Sequence, residues 1–323
     1  MNKAHFLLLL ISVLFLSCGK KNKEMPPKTT GKINTISVII EDQLWNGEIG
    51  DSIRNKFASA VIGLPQEEPL FTINQYPVKL MEGFMTDSRN IIVVKKADKN
   101  KFEIKKDQYG SPQNVFHITG KTGIAIIDII EQNATQIIQI IHQTEIEEIQ
   151  RINSKALLNP KTIDDKFHIS LEIPTSYATM VEEEKFMWLK KEIVSGNTSL
   201  LLYQVPIHSI IDGGNLVSNI IKMRDSIGSL YIHGKELHTD MITEEAYAPY
   251  FFKIKLKNKV TYVTKGTWEL KDDFMSGPFV NYAFVDEANN RVMVLEGFCY
   301  SPSKEKRDMM LELEAIIKSA NFK

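Results

Sequence analysis

One short segment of this sequence holds residues that could bind a metal ion. His233, His238 and Asp240 lie in the segment IHGKELHTD, and imidazole and carboxylate groups are common zinc ligands in proteins. The histidines lack the i, i+4 spacing of a helical zinc site, and the sequence offers no second cluster of ligands. The segment is therefore predicted to be a polar loop, and we expect no metal ion and no other cofactor.

Neighbouring acids are the other groups that could perform acid–base chemistry. Glu67 with Glu68, or Asp272 with Asp273, could supply a proton donor and a proton acceptor. Adjacent acids in turns are usually solvated, however. The sequence also contains none of the motifs HExxH, GxSxG or GxxxxGK[ST] that mark common catalytic sites. We therefore predict no catalytic residue.

Aromatic and arginine side chains could instead contact a ligand or a protein partner. The candidates are Tyr177, Trp188, Arg224, Trp268 and Arg307. Aromatic residues in strands are more often part of the core. Each of the two arginines precedes an aspartate on a predicted helix, so it could form an ion pair between helix and sheet or recognise a ligand. The sequence leaves both interpretations open.

Cys18 directly follows a segment with the features of a signal peptide. Residues 1–17 carry a lysine near their start, Lys3, continue with an apolar run and end at the small residue Ser17, and the run is too short to span a bilayer. The cysteine resembles the acylated position of a lipobox, which predicts a membrane anchor of acyl chains on Cys18. A secretory leader with a chance cysteine is the alternative.

The segment after this cysteine is predicted to be a tether. Residues 18–34 are polar, rich in lysine and contain proline, so they cannot bury much apolar area and should be flexible. Fully extended, such a segment would reach roughly 50 Å.

The overall charge of the chain gives no sign of a nucleic-acid partner. Lys and Arg number 39 and Asp and Glu number 40, so there is no positive field of the kind that attracts nucleic acid. The second cysteine, Cys299, lies in an apolar run and is predicted to be a buried thiol.

The rest of the chain is predicted to form two halves of mixed helix and strand. They span residues 35–158 and 167–323, on either side of the polar segment 159–166. Both contain strand-like runs together with apolar residues at helical spacing. The sequence therefore predicts an α+β fold in which antiparallel sheets carry helices packed on one face.

The first half is predicted to open with a strand followed by a helix. Its predicted elements are a strand at 35–41, a helix that ends near Gly63, a hairpin of 90–96 and 101–107, and a long helix in the Ile-rich stretch 122–158. Because isoleucine is β-branched, a strand over 124–130 is the alternative to the start of that helix.

The second half is predicted to contain more strands than the first. Its predicted elements are a strand at 167–174, a hairpin of 184–193 and 199–206, a helix from Gly214, an antiparallel meander from 250 to 301, and a closing helix capped by Ser303.

Several segments together resemble a family of uncharacterised lipoproteins from Bacteroidetes. They include IPTSY (173–177), FMWLKKE (186–192), GTWELKDDFMSGPF (266–279) and EGFCYSPSKEKRD (296–308). The family is catalogued as a domain of unknown function, so the resemblance implies a location and no mechanism. Lipoproteins of this group that reach the outer face commonly carry an acidic run after the cysteine. Since this chain lacks one, the resemblance implies an outer-membrane protein that faces the periplasm.

A weaker resemblance concerns the second half. LEIPTSY (171–177) and LEAIIKSANF (313–322) are similar to segments of small α+β domains of the PsbP and Mog1 type. Those domains act mainly as assembly or binding modules, so the resemblance implies binding.

The leading hypothesis is a non-enzymatic envelope lipoprotein that binds or helps assemble another envelope component, such as an envelope protein. A periplasmic hydrolase acting on peptide or glycan, with its polar groups gathered from distant loops, is one alternative. A carrier that holds a small apolar ligand between the two halves is another.

Overall fold

The computed structural model describes residues 26–80, 83–211, 214–236 and 239–323. The predicted leader, Cys18 and His238 lie outside these residues. Both halves combine helices with strands, so the predicted α+β fold in two halves is confirmed.

The N-terminal half is built around a mixed five-stranded sheet. Its elements are β1 (Thr35–Ile39), α1 (Asp42–Trp45), α2 (Glu48–Phe57), β2 (Thr72–Tyr76), β3 (Asn90–Lys96), β4 (Lys101–Lys106), β5 (Asn114–Gly120) and α3 (Gly123–Asn153). The strand order is β2-β1-β3-β5-β4, and only the β4–β5 pair is antiparallel. Helices α2 and α3 pack on one face, where Ile53, Phe57, Ile130 and Ile137 form a core with strand residues such as Ile92.

The predicted hairpin of β3 and β4 is wrong, because β5 lies between these two strands. Strand β3 pairs with β5 in parallel, and β4 pairs with the other side of β5. The physical reason lies in composition. Strands buried on both faces tend to have apolar runs, as β3 does, and β5 is buried along most of its length, whereas the lysine-rich strand β4 suits the sheet edge.

Helix α2 ends earlier than the sequence predicts. It stops at Phe57 and not near Gly63. The chain then forms a loop that returns beside itself: Val61 N donates to Glu68 O (2.9 Å) and Phe71 N donates to Phe57 O (3.0 Å). These backbone bonds replace the next helical turn.

Residues 26–34 form backbone hydrogen bonds with loops of the N-terminal half, although the sequence predicts that they belong to a flexible tether. Thr30 N donates to Asp87 O and Ser111 N donates to Pro27 O, both over 2.8 Å. Composition predicts flexibility because the segment has little apolar area of its own. It does not reveal the backbone partners that distant loops supply.

Helix α3 is confirmed, and the alternative strand over 124–130 is wrong. Within the described ranges, α3 is the one helix with the length and composition to cross a membrane. Apolar side chains along it pack against the sheet as core: Ile126, Ile130, Ala134, Ile137 and Ile141. It serves as a core helix of this half.

The C-terminal half contains an antiparallel eight-stranded sheet. Its elements are α4 (Lys161–Phe167), β6 (Ile169–Ser170), β7 (Ala178–Glu182), β8 (Phe186–Ile193), β9 (Gly196–Pro206), α5 (His208–Ile211), α6 (Leu216–Tyr231), β10 (Met241–Thr243), β11 (Tyr250–Leu256), β12 (Lys259–Leu270), β13 (Ser276–Asp286), β14 (Arg291–Tyr300), α7 (Arg307–Lys318) and β15 (Asn321–Phe322). The strand order is β10-β12-β13-β14-β9-β8-β7, and β11 pairs with β12 beside β10. The predicted β8–β9 hairpin, the meander and helices α6 and α7 are confirmed.

Helices cover both faces of this sheet, whereas the sequence predicts helices on one face only. Strand β14 alternates its side chains between two cores: Leu295 packs with Leu313 of α7, whereas Val294 packs with Ile220 of α6. The sheet faces are therefore apolar on both sides, which explains the nearly continuous burial of β13 and β14.

Two smaller predictions for this half also differ from the structure. The polar segment 159–166 contains most of helix α4, and the strand expected over 167–174 is reduced to the two residues of β6, which pair with β15. His168 ends α4 in the left-handed conformation, with φ 54°, so the chain changes direction where a longer strand was predicted to begin.

Candidate functional site

The start of helix α7 is capped from the other half of the chain. Backbone N–H groups at helix N-termini lack intrahelical partners. Here the carboxylate of Glu68 accepts bonds from Lys306 N (2.7 and 2.9 Å) and Arg307 N (2.7 Å). The predicted cap by Ser303 is wrong, because the residue preceding the helix is Lys306 and its own side chain makes no cap bond. Glu68, proposed above only as one of a pair of solvated acids, is 5% exposed.

Arg307, one of the predicted contact residues, is buried in the same junction. Its guanidinium donates to Pro69 O (2.8 Å) and Thr72 Oγ1 (3.3 Å), and it also pairs with Asp308 (2.8 Å). Asp308 in turn accepts a bond from Asn34 Nδ2 (2.8 Å). Arg307 therefore joins the two halves and is not displayed to solvent.

A buried carboxylate on α7 completes the junction. Glu314 is 3% exposed; it pairs with Lys265 of β12, with His142 of α3 (3.4 Å) and with Lys318 (3.6 Å). Burial opposes ionisation, but the charge of Lys265, the hydrogen bond of His142 and the charge of Lys318 outweigh it. Together they hold the pKa of Glu314 well below its ordinary value of 4.5.

The lowered pKa of Glu314 predicts acid destabilisation of the junction. A carboxylate whose pKa is lower in the folded than in the unfolded state stabilises the fold above the unfolded pKa, and this stabilisation is lost as the pH falls through the folded pKa. We expect the free energy of unfolding to decrease as the pH falls below about 4.5, and to decrease less in Glu314→Gln. Urea unfolding of both proteins between pH 7 and pH 3 measures this. Parallel curves would contradict the assignment.

Arg224, another predicted contact residue, lies at the centre of a buried polar cluster. Its Nε lies 2.9 Å from Glu296 Oε1 of β14, without hydrogen-bond geometry. Its Nη1 donates to Thr243 Oγ1 (2.9 Å), and its guanidinium stacks 3.8 Å from the ring centre of Phe279. Asp225, next to it on α6, accepts bonds from Thr243 N and Oγ1, both 2.7 Å.

The Glu296 carboxylate of this cluster has no exposed surface. Burial raises the pKa of Glu296, while Arg224 and a hydrogen bond from Asn281 Nδ2 (2.8 Å) favour its ionised form. Of the two interpretations that the sequence leaves open, the structure contains the ion pair between helix and sheet. It joins α6 to β14, and both side chains are at most 1% exposed.

The aromatic candidates are placed mainly inside the sheet layers. Tyr177 is 2% exposed and its hydroxyl bonds Thr198 Oγ1 (3.0 Å); burial raises its pKa. Trp268 is also 2% exposed and donates from Nε1 to Cys299 O (3.2 Å). Trp188 is half-buried, and its indole N–H has no hydrogen-bond partner among the described residues. The structure does not bring the five candidates together into one site.

Cys299 is a free, buried thiol, as its apolar surroundings predict. Burial raises its pKa to about 12, so the nucleophilic thiolate is not populated near neutral pH. His233 pairs with Asp240 (Nδ1–Oδ1, 2.9 Å) on the surface. In the described ranges, no group of three His, Cys, Asp or Glu side chains lies together in a way that could hold a metal ion.

The larger clefts along the junction of the described halves include the following two. The first, about 580 Å³, runs between the loop after α2 and the segment before β11, and its lining includes Leu64, Tyr247 and Tyr250. The second, about 550 Å³, lies between the C-terminal end of α3 and α7. Its lining is more apolar than that of the first cleft: Ile33, Ile149, Ile152 and Met309 lie there beside polar residues such as Lys191 and Glu312.

Strand β11 carries the most exposed apolar row of the C-terminal sheet. Tyr250, Phe252 and Ile254 alternate along one face and are 49%, 40% and 38% exposed. Tyr247, just before the strand, is 70% exposed. The sequence predicts β11 as a strand but does not predict this surface. The alternation of apolar residues with lysines in YFFKIKLK is typical of a strand with one face in water, and it gives no sign that the apolar face is exposed as well.

Comparison with known families decides the classification. A family model described as "Domain of unknown function (DUF4837)" matches residues 156–319, which is just over half of the 323-residue chain. The chain belongs to the DUF4837 family. A second model, "Domain of unknown function (DUF8532)", matches residues 29–154. The DUF4837 region contains the eight-stranded sheet and α7. The resemblance to a family catalogued as a domain of unknown function is confirmed, whereas the bacterial group and the lipid anchor stay predictions.

Three solved structures show distant similarity to this DUF4837 protein. The Ran-binding protein Mog1p of Saccharomyces cerevisiae has 8% identity and a TM-score of 0.32, over 48% of this chain and 89% of that chain. LpqN, "involved in cell envelope biogenesis of Mycobacterium tuberculosis", has 10% identity and a TM-score of 0.28, over 47% of this chain and 82% of that chain. Human StAR-related lipid transfer protein 5 has 8% identity and a TM-score of 0.25, over 55% of this chain and 98% of that chain. These values are too low to support a functional conclusion. No curated protein matches the chain.

Proposed function

We propose that this chain is a non-enzymatic, lipid-anchored protein of the cell envelope that binds or helps assemble another envelope component. Acyl chains on Cys18 hold it in the outer membrane, with its body in the periplasm. The leader-like residues 1–17 and the cysteine that follows them support the anchor. Residues 19–25 separate this cysteine from the docked segment that begins at Pro26. A stretch of this length reaches roughly 25 Å when extended, which keeps the body close to the membrane.

The exposed apolar row of β11 is the observation that carries the binding function. Water-exposed aromatic and aliphatic side chains next to one another are typical of partner surfaces, because their burial is favourable only once a partner arrives. Tyr250, Phe252 and Ile254 lie on a strand at the rim of the sheet, and Tyr247 extends the row. These residues make up the partner surface of the proposal.

A carrier function is the second candidate, and one observation favours it. The cleft of about 550 Å³ between α3 and α7 has an apolar wall that includes Ile33, Ile152 and Met309, beside polar lining residues such as Lys191 and Glu312. An apolar wall in a cleft of this size suits the apolar part of a small ligand. Titration with a fluorescent fatty acid distinguishes the two functions, because Ile152→Glu, at a cleft residue that is 43% exposed, would abolish binding in the cleft and leave the β11 surface intact. The hydrolase alternative gains no supporting observation from the described residues.

Fractionation and crosslinking of the full-length chain test the proposal. We expect the wild-type protein in the membrane fraction, and Cys18→Ser in the soluble fraction without a fatty-acid label. We also expect mild crosslinking to yield one larger complex that Phe252→Asp removes. Ile124→Asp is the control, since Ile124 is 72% exposed on α3, away from β11. A Cys18→Ser protein that stays in the membrane, or a chain that never crosslinks to another component, would contradict the proposal.

A further inference from the structure

Strand β11 has one paired edge and one open edge. It is hydrogen-bonded to β12 along its whole length, from Tyr250 opposite Lys265 to Leu256 opposite Lys259. Among the described residues, no strand or bridge pairs with its other edge. An open edge presents unpaired backbone N–H and C=O groups, which can bind an added strand.

The two faces of β11 differ in chemistry. Tyr250, Phe252 and Ile254 form the apolar row on one face. Lys253 and Lys255 lie between them and therefore point to the other face; both are exposed, and neither forms an ion pair within the described part of the chain. An arriving strand would meet an apolar row on one face and two unneutralised ammonium groups on the other.

We propose that the open edge of β11 binds, by strand addition, an extended segment of a partner protein in which apolar residues alternate with Asp or Glu. The backbone of that segment pairs with β11, its apolar side chains cover the apolar row, and its carboxylates face Lys253 and Lys255. This inference rests on the proposed binding function and specifies the chemistry of the partner. Opposite charges directly across two strands stabilise pairing, and like charges oppose it.

The charges on β11 disfavour a second copy of this chain as the occupant. Any antiparallel register that aligns the apolar rows of two copies also places both lysine rows on one face. Lys253 and Lys255 of one copy would then lie opposite or diagonal to those of the other, which is destabilising. A segment with acidic residues at those positions removes this repulsion.

The open backbone edge also distinguishes a protein strand from a lipid surface. Apolar and lysine side chains together can contact anionic membranes. Hydrocarbon, however, offers no partner for the N–H and C=O groups of an open edge, so insertion of β11 would leave them unsatisfied. Strand addition pairs the backbone and buries the apolar row in one step.

Peptide titration of the purified full-length chain in mild detergent tests the inference. The probe is a fluorescent peptide that alternates valine with glutamate, and its control replaces each glutamate with lysine. Exchanging two opposed like charges for opposite ones predicts that the acidic peptide binds about tenfold or more tightly than the basic one. In the double variant Lys253→Glu, Lys255→Glu this preference should reverse. The matched control is Lys96→Glu with Lys105→Glu, which makes the same charge change on the N-terminal sheet and should keep the preference.

Two results would overturn strand addition. One is equal binding of the acidic peptide after N-methylation of alternate backbone amides, which blocks pairing with the edge. The other is no binding of the acidic peptide; if the Lys253→Glu, Lys255→Glu variant also loses binding to anionic vesicles, β11 is a lipid contact. If strand addition is overturned while the Phe252-dependent crosslinked complex in cells persists, the binding function stands. If that complex is also absent, the binding function fails as well.

Discussion

Glu145→Leu is expected to lower the free energy of unfolding by about 3–5 kcal/mol, because it leaves a buried guanidinium without its counter-charge. Glu145 has no exposed surface. It accepts bonds from Arg89 Nε (3.1 Å) and Nη2 (2.9 Å), from Asn90 Nδ2 (2.8 Å) and from the backbone N–H of Asn34 (3.0 Å). Each of these donors would lose its acceptor at once.

The same substitution is expected to release the docked segment that precedes β1. Arg89 also donates to the carbonyl oxygens of Gly31 (3.0 Å) and Lys32 (2.9 Å), so the guanidinium held by Glu145 in turn holds this segment. We expect faster amide exchange and faster proteolysis over residues 26–34. Urea unfolding and hydrogen-exchange mass spectrometry measure both effects. Glu147→Leu is the control, since Glu147 is exposed on the same helix; equal stability of the two variants would contradict the assignment.

Arg224→Met is expected to have an effect of similar size, about 3–5 kcal/mol, because it leaves Glu296 buried without a cation. The lost contacts include the stacking on Phe279 and the bond to Thr243. A methionine keeps most of the apolar volume, so the loss reports mainly on charge. Adding Glu296→Gln to Arg224→Met should restore part of the stability, since the remaining buried amide carries no charge.

The control for this pair lies on the same helix. Lys222 is exposed on α6, and Lys222→Met removes a cation without uncovering a buried carboxylate. We expect it to change the free energy of unfolding by less than about 0.5 kcal/mol. Urea unfolding of the single and double variants gives the coupling energy. A coupling near zero would show that Arg224 and Glu296 contribute independently, contrary to the geometry.

Local patterns predicted most of the C-terminal half. The short apolar runs in β8 and β9, the turn at Gly196 and the apolar spacing of α6 and α7 depend on neighbouring residues, which the sequence displays directly. Pairing between distant strands is not displayed in this way. The insertion of β5 between β3 and β4 depends on which strand buries both faces, and a hairpin is the default for adjacent strands.

The polar groups of the junction were harder to predict for the same reason. Glu68 caps a helix that begins at Arg307, and Glu314 meets His142 across the two halves. Composition classes such acids as solvated surface groups, because nothing nearby in the chain shows their partners. The exposure of the apolar row of β11 could not be predicted for a different reason. Its residues have the pattern of any half-buried strand, and only the tertiary structure shows that no other element covers them.

Site-specific photo-crosslinking in intact cells tests the central claim most directly. A photoreactive residue at position 252 of the full-length chain should yield one discrete crosslinked protein in the membrane fraction. The same residue at position 124, also an exposed apolar site, should yield none. Crosslinks of equal yield at both positions, or to phospholipid alone at position 252, would contradict the account.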